Sequence, residues 1–155
     1  MPELPEVEVV KRSLEKEIKN CFIKNTEILD SNLRYKINKK EFNKIIGLRI
    51  LKIKRRSKYL LFFLNKNLVI LVHLGMTGKF LIIKKDNEIQ KTSFYYEVEN
   101  NNKKHDRVIF SLNIGSKIIY NDVRKFGFIK IVKEKDLNQN QHLNILGPEP
   151  LSNIF

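Results

Sequence analysis

The first regular pattern of apolar positions is helical. Between residues 5 and 18, Val7, Val10, Leu14 and Ile18 recur at three- and four-residue spacing and form one stripe. Pro5 suits a first helical turn, where its missing N–H costs nothing. Glu6 and Glu8 complement the positive end of the helix dipole, and Lys16 and Lys19 the negative end. Residues 1–4 then read as a short extended arm.

Beyond this helix the period shortens to two. Residues 22–29 and 48–54 alternate apolar with polar side chains, as half-buried strands do, and 40–46 predicts one or two helical turns ended by Gly47. Residues 59–64 and 68–74 are apolar runs around Asn65-Lys66-Asn67, which predicts a hairpin. Residues 79–83, 107–112, 117–120 and 126–132 add strands, with a turn at 113–116, while the polar stretch 86–104 reads as a mobile excursion. The predicted class is α+β, mostly β: a two-layer antiparallel β-sandwich with the N-terminal helix packed on it. Residues 134–155 turn polar and then carry LGPEPLS, whose prolines end regular structure. Residues 1–133 are thus expected to form one domain and 134–155 the start of a linker, so the chain reads as a fragment.

Composition narrows the function classes. At 155 residues and 18.4 kDa there is room for one domain with a core but not for two. A net charge of +13 points to a polyanionic partner, most often nucleic acid. Alanine is absent, arginine scarce, and lysine, asparagine and isoleucine abundant, so an AT-rich coding sequence accounts for part of that excess. The single cysteine excludes a disulfide framework and a cysteine-built zinc site within the chain. No apolar run reaches the ~20 residues of a membrane span, and the acidic, proline-bearing N-terminus is unlike a signal peptide. The expectation is a soluble intracellular protein with no membrane partner.

Several short segments could carry chemistry. With Met1 removed, Pro2 presents a secondary α-amine, and α-amines have a pKa of about 7.7–8.0, so a useful share is neutral. Such an amine can attack an electrophilic carbon and form an iminium ion, with Glu3 beside it to pass protons. Equally, Pro2 permits Met removal and Glu3 is merely exposed. Arg55-Arg56-Ser57-Lys58 between two strands could meet phosphates, Lys58 reaching a reacting sugar, or could be a solvated edge that discourages strand pairing. In HLGMTG, residues 73–78, Met76 could sit at a loop tip and fill the gap left by an extruded base, or belong to the core. In DVRKFG, residues 122–127, Arg124 could bond an orphaned base and Phe126 wedge between bases, or Phe126 could point inward. No histidine has partners at metal-ligand spacing, so no metal site is expected.

Taken together, MPELPEVE, RRSKYLL, HLGMTG, KHD, DVRKFG and LGPEPL stand in the order and approximate spacing seen in formamidopyrimidine-DNA glycosylases, and the chain resembles that family from Met1 to about Ser152. The resemblance implies a bifunctional base-excision-repair enzyme that removes oxidised purines, notably 8-oxoguanine and formamidopyrimidines, and cleaves the strand as an AP lyase by β,δ-elimination. Residue by residue, it implies Pro2 as the Schiff-base nucleophile, Glu3 as proton donor and shuttle, and Lys58 as the lysine of β-elimination and of the lesion's phosphate. It implies His73, His105 and Arg124 as DNA contacts, Met76, Arg124 and Phe126 as the trio that fills the duplex, and Glu6 as a carboxylate near the site. Lys125 stands where a second arginine is common, and Arg107 where a histidine often follows HD. The family continues into a helical domain and a four-cysteine zinc finger, neither of which is present here, so no cofactor is expected in this chain. Expected partners are double-stranded DNA with oxidised bases or abasic sites. A monomer in the bacterial cytoplasm at the nucleoid, or in an organelle, is expected, and not a secreted protein. Other readings are an endonuclease VIII-like glycosylase for oxidised pyrimidines, a non-catalytic DNA-binding β-domain, and a basic β-sandwich with no nucleic-acid role.

Overall fold

The computed structural model describes residues 4–86, 89–91 and 103–139 of the 155. Helix α1 (Leu4–Ile18) carries the predicted stripe, and Val7, Val10, Leu14 and Ile18 are fully buried. Leu4 already belongs to the helix rather than to an extended arm, and Met1, Pro2 and Glu3 lie outside the described residues. The helix packs on β2 (Ile50–Arg56) and β3 (Tyr59–Leu64). Its polar side is tied down as well, because the Glu8 carboxylate accepts from Arg55 Nε at 2.9 Å. Burial alone would raise the Glu8 carboxyl, but that hydrogen bond and the Lys11, Arg55 and Arg12 charges outweigh it and hold the group below its ordinary value.

After β1 (Ile23–Ile28), Asn38 caps α2 (Lys39–Asn43) by accepting from Lys40 N–H and Glu41 N–H. This helix is shorter than the sequence suggested. Residues 44–47 are turns, and Gly47, at φ +88°, donates its N–H to Ile23 O and so returns the chain to β1.

The remaining elements are β4 (Leu68–His73), β5 (Gly78–Ile83), β6 (Ile89–Lys91), β7 (Asp106–Leu112), β8 (Lys117–Asp122) and β9 (Phe128–Lys133). They form two antiparallel sheets, of order β1-β7-β8-β5-β6 and β2-β3-β4-β9. Leu60, Phe62, Ile70 and Val72 from the four-stranded sheet share one core with Phe80, Ile82, Val108, Phe110, Ile118 and Tyr120 from the other. The gap left between the sheets is about 10 Å³, at the lower limit for a single water, so the sandwich interior is filled and holds no ligand cavity. Strand β3 is buried along its whole length because its other face, with Tyr59, Leu61 and Phe63, meets Val69, Leu71, Phe128 and Leu137 in a second cluster. Leu137 comes from the 3-10 turn Glu134–Gln139 that directly follows β9.

Two expectations are corrected. Strand β6 falls inside the stretch read as an excursion and pairs with β5, Leu81 opposite Lys91; residues 92–102 lie outside the described set. The last strand begins at Phe128 rather than Phe126, because the N–H groups of Lys125 and Gly127 donate to the Asp122 carboxylate instead of to a neighbouring strand.

Leu14→Ala should destabilise the chain by about 2–5 kcal/mol, since it empties a fully buried position, while Lys11→Ala on the outer side of the same helix should cost less than about 0.5 kcal/mol. Urea denaturation followed by far-UV circular dichroism checks both.

Candidate nucleic-acid interface

Two turns emerge side by side at one end of the sandwich. The first joins β4 to β5 (residues 74–77), the second joins β8 to β9 (residues 123–127), and Gly78 pairs with Asp122 in the ladder between them. A fully buried carboxylate, Asp122, holds the turns together. Its Oδ1 accepts from Thr77 Oγ1 at 2.6 Å and Lys125 N at 3.1 Å, and its Oδ2 from the Tyr120 hydroxyl at 2.9 Å and Gly127 N at 3.0 Å. Thr77 Oγ1 in turn accepts from Arg124 N at 2.9 Å, so one hydroxyl touches both turns. Glycine makes this approach possible: a Cβ on Gly75, at φ +62°, would lie 2.5 Å from Gly127 N and 2.6 Å from the Phe126 carbonyl carbon.

The clasp turns three side chains outward. Met76 and Phe126 are 45% and 44% exposed, which overturns the core reading of the methionine and the inward reading of the phenylalanine. Arg124 is exposed between them, its guanidinium 4.7 Å from the Phe126 ring centroid and its Nη1 3.6 Å from Met76 Sδ. Arg34 joins Gly75, Met76 and Phe126 around an open groove of about 330 Å³. Two large apolar side chains and a cation displayed together on small, rigid turns are suited to entering a base stack and bonding a base edge.

The other predicted residues are placed unevenly. Lys58 lies in the β2–β3 turn, half-buried, beside Ser57 at φ +52°. His73 ends β4 and is buried, edge-on to Tyr59 at 4.9 Å and stacked on Phe128 at 5.8 Å. Its Nδ1 accepts from Gly75 N–H at 2.9 Å, which leaves Nε2 as the protonated nitrogen of the neutral ring. Register brings Tyr59, His73 and Phe128 into one row, so the Lys58 turn lies at the same end of the sheet. Glu6 is buried in the first turn of α1. His105 closes the short turn before β7, half-buried, and desolvation together with the Arg107, Lys104 and Lys79 cations pushes its imidazole below the ordinary value, against a smaller pull from Asp106. Pro2, Glu3 and the LGPEPL segment lie outside the described residues.

Other residues of this end had no role assigned from sequence. Asp122, Thr77 and Tyr120 form the clasp, and the only signal for Asp122 was its place at the head of DVRKFG. Arg107 is buried, with Nε donating to Asp122 O at 2.9 Å and Nη2 to Val123 O at 3.3 Å. Asp30, 77 positions away in sequence, accepts from Arg107 Nη1 at 3.2 Å and holds Lys125 Nζ at 2.6 Å. Lys79 is buried on β5 near the Asp106–Asn121 hydrogen bond, and burial lowers its ammonium below the ordinary range, against a smaller pull from Asp106.

Metal chemistry finds no footing in these residues. The one cysteine, Cys21, is buried, and among the described residues no group of three His, Cys, Asp or Glu side chains could hold an ion. A four-cysteine finger does not fit this chain's residues, and no step below passes through zinc. Among the described residues, no helix is long and apolar enough to cross a membrane.

Comparison with known proteins agrees with this geometry. Residues 1–129 match the model of the formamidopyrimidine-DNA glycosylase N-terminal domain. The formamidopyrimidine-DNA glycosylase of Rhodopseudomonas palustris is 37% identical over all 155 residues, which span 53% of that protein, and that of Rickettsia africae is 40% identical, with 52% spanned. The chain therefore covers about half the length of these curated relatives. Among solved structures, the Lactococcus lactis Fpg bound to DNA containing an abasic site superposes with a TM-score of 0.73 at 28% identity, covering 89% of this chain and 46% of the other. The same enzyme bound to DNA containing N7-benzyl-Fapy-dG gives 0.73 at 29% identity, with 89% and 46% covered. With most of its length matched by the family model, the chain belongs to the formamidopyrimidine-DNA glycosylase family, in the part that forms the N-terminal domain.

Proposed function

We propose that this chain is the nucleophile-bearing, duplex-opening half of a DNA glycosylase and AP lyase that acts on oxidised purines. The observation that carries this reading is the pair of clasped turns, which displays Met76, Arg124 and Phe126 together, outside the core, on a backbone fixed by Asp122. Phe126 and Met76 replace the stacking lost when a damaged nucleotide leaves the helix, and Arg124 bonds the base left opposite. His73, His105 and Lys58 contact phosphates at the same edge. Family membership and the relatives solved with abasic-site and Fapy-type DNA support the same assignment.

The chemistry follows from the N-terminus. After Met1 is removed, the Pro2 nitrogen attacks C1′ of the extruded nucleotide. The C1′–N glycosidic bond breaks, and the base departs with a proton supplied through Glu3. Ring opening gives an iminium ion, which accepts the electron pair freed when a C2′ proton is removed and the C3′–O bond breaks. Lys58 holds the phosphate through this β-elimination, and a second elimination releases the 5′ side. Glu6 borders the proline as a further carboxylate. Residues 134–155 lead toward a second half that supplies the other wall of the cleft. The chain acts as a monomer on chromosomal DNA, in bacterial cytoplasm or an organelle of that descent.

Borohydride trapping on duplex DNA with a single abasic site should give a covalent complex with the Met-processed chain and none with Pro2→Gly. No Pro2-dependent band, despite clean processing and measurable binding, would reduce the function to a non-catalytic DNA-binding domain. Phe126→Ala should weaken binding to abasic duplex about tenfold, within the ~1–3 kcal/mol of a base–aromatic stack, and leave intact-duplex affinity unchanged in fluorescence anisotropy. Because His105 is held below its ordinary value in the free chain and a phosphate favours the imidazolium, binding takes up a proton. Affinity should therefore rise as pH falls from about 7.5 to 5.5, and His105→Gln should flatten that slope.

A further inference from the structure

Asp30 stands just past β1, far from the duplex-filling turn in sequence, yet its side chain closes the outer side of that turn. Its position is fixed twice, by Asp30 N donating to Arg107 O at 3.2 Å and by its Oδ1 accepting from Asn32 N at 2.9 Å. That leaves Oδ2 for two cations, Lys125 Nζ at 2.6 Å and Arg107 Nη1 at 3.2 Å. The same guanidinium donates to the carbonyls of Asp122 and Val123. Lys125 has a left-handed backbone, at φ +59°, which a non-glycine residue adopts only when its surroundings compensate. Residues 122, 123 and 125 are thus anchored through one carboxylate, and the residue between them, Arg124, carries the exposed guanidinium.

We infer that Asp30 is a positioning residue for duplex opening: through Lys125 and Arg107 it holds the turn of Arg124 and Phe126 in its inserting shape before DNA arrives. This rests on the duplex-opening role proposed above. The physical cause is preorganisation, since a turn already ordered has less freedom to lose when it enters the stack. Without the carboxylate, Arg107 and Lys125 face each other as like charges and the outer anchor is lost. The tether also acts against simple electrostatics. Asp30→Asn raises the chain's charge from +13 to +14 and Lys125→Met lowers it to +12, while both break the same ion pair.

The test uses this chain and a duplex in which 2-aminopurine flanks a single abasic site, with the fluorescence rise on binding reporting duplex opening. Asp30→Asn and Lys125→Met should each lower that rise about threefold, the size expected of a partly screened ion pair. Their affinities for intact duplex should move in opposite directions, Asp30→Asn binding tighter and Lys125→Met weaker. Asp30→Glu should recover part of the response. An unchanged response in both variants, or a response that tracks net charge, overturns the inference and leaves the duplex-opening role standing. Parallel loss of response and of intact-duplex binding, with a lowered Tm, also overturns it by marking a general structural role. If the unsubstituted chain gives no lesion-dependent rise, the duplex-opening role falls and the inference with it.

Discussion

The Asp122 carboxylate fixes the functional end of this molecule. A buried carboxylate is costly unless its oxygens are satisfied, and here both are, by Thr77 and Tyr120 hydroxyls and by the N–H groups of Lys125 and Gly127. These four donors belong to three places in the chain: the β4–β5 turn, the end of β8 and the β8–β9 turn. Satisfying one buried group therefore sets the relative position of all three. The glycines at 75 and 127 follow from the same constraint, since side chains there would push apart backbones that the carboxylate draws together.

Several features of the site are consequences of that clasp. Phe126 is exposed because the N–H groups on either side of it, at Lys125 and Gly127, are committed to Asp122, which delays the start of β9 to Phe128. The Met76 tip is held by the neighbouring Thr77 hydroxyl and by Gly75 N–H on His73. His73 is in turn seated between Tyr59 and Phe128. The sandwich beneath supplies stiffness, because its interior is filled and its four-stranded sheet is apolar on both faces. A rigid platform matters for a wedge, since a mobile turn would lose more entropy on entering the stack than stacking returns.

Electrostatics at this end is more balanced than a net charge of +13 suggests. Asp30, Asp106 and Asp122 are interleaved with Arg107, Lys125, Lys79 and His105. The Lys125 hydrogen bond, then the Asn32 N–H, hold the Asp30 carboxyl below its ordinary value, and the Arg107 charge acts in the same direction. Its contribution is thus present above the usual aspartate range and fades as pH falls through the lowered folded-state value. Much of the basic character here fixes the turn, and Arg124 is the cation the framework leaves exposed at its tip.

The sequence by itself determined the amphipathic first helix, most strands, the sandwich class and the ordered motifs that mark the family, because periodicity, turn residues and local spacing are written along the chain. It also brought Met76, Arg124 and Phe126 into view as a set, though without deciding whether they face the core or the solvent. Tertiary structure decided that, through a carboxylate whose partners lie as far as 45 positions away. It likewise showed β6 within an apparently featureless polar stretch, since three residues form a strand only when β5 offers an edge to pair with. Asp30 was invisible in the sequence for the same reason. Nothing in its local pattern marks a tether, and only the fold brings Arg107 and Lys125 to it.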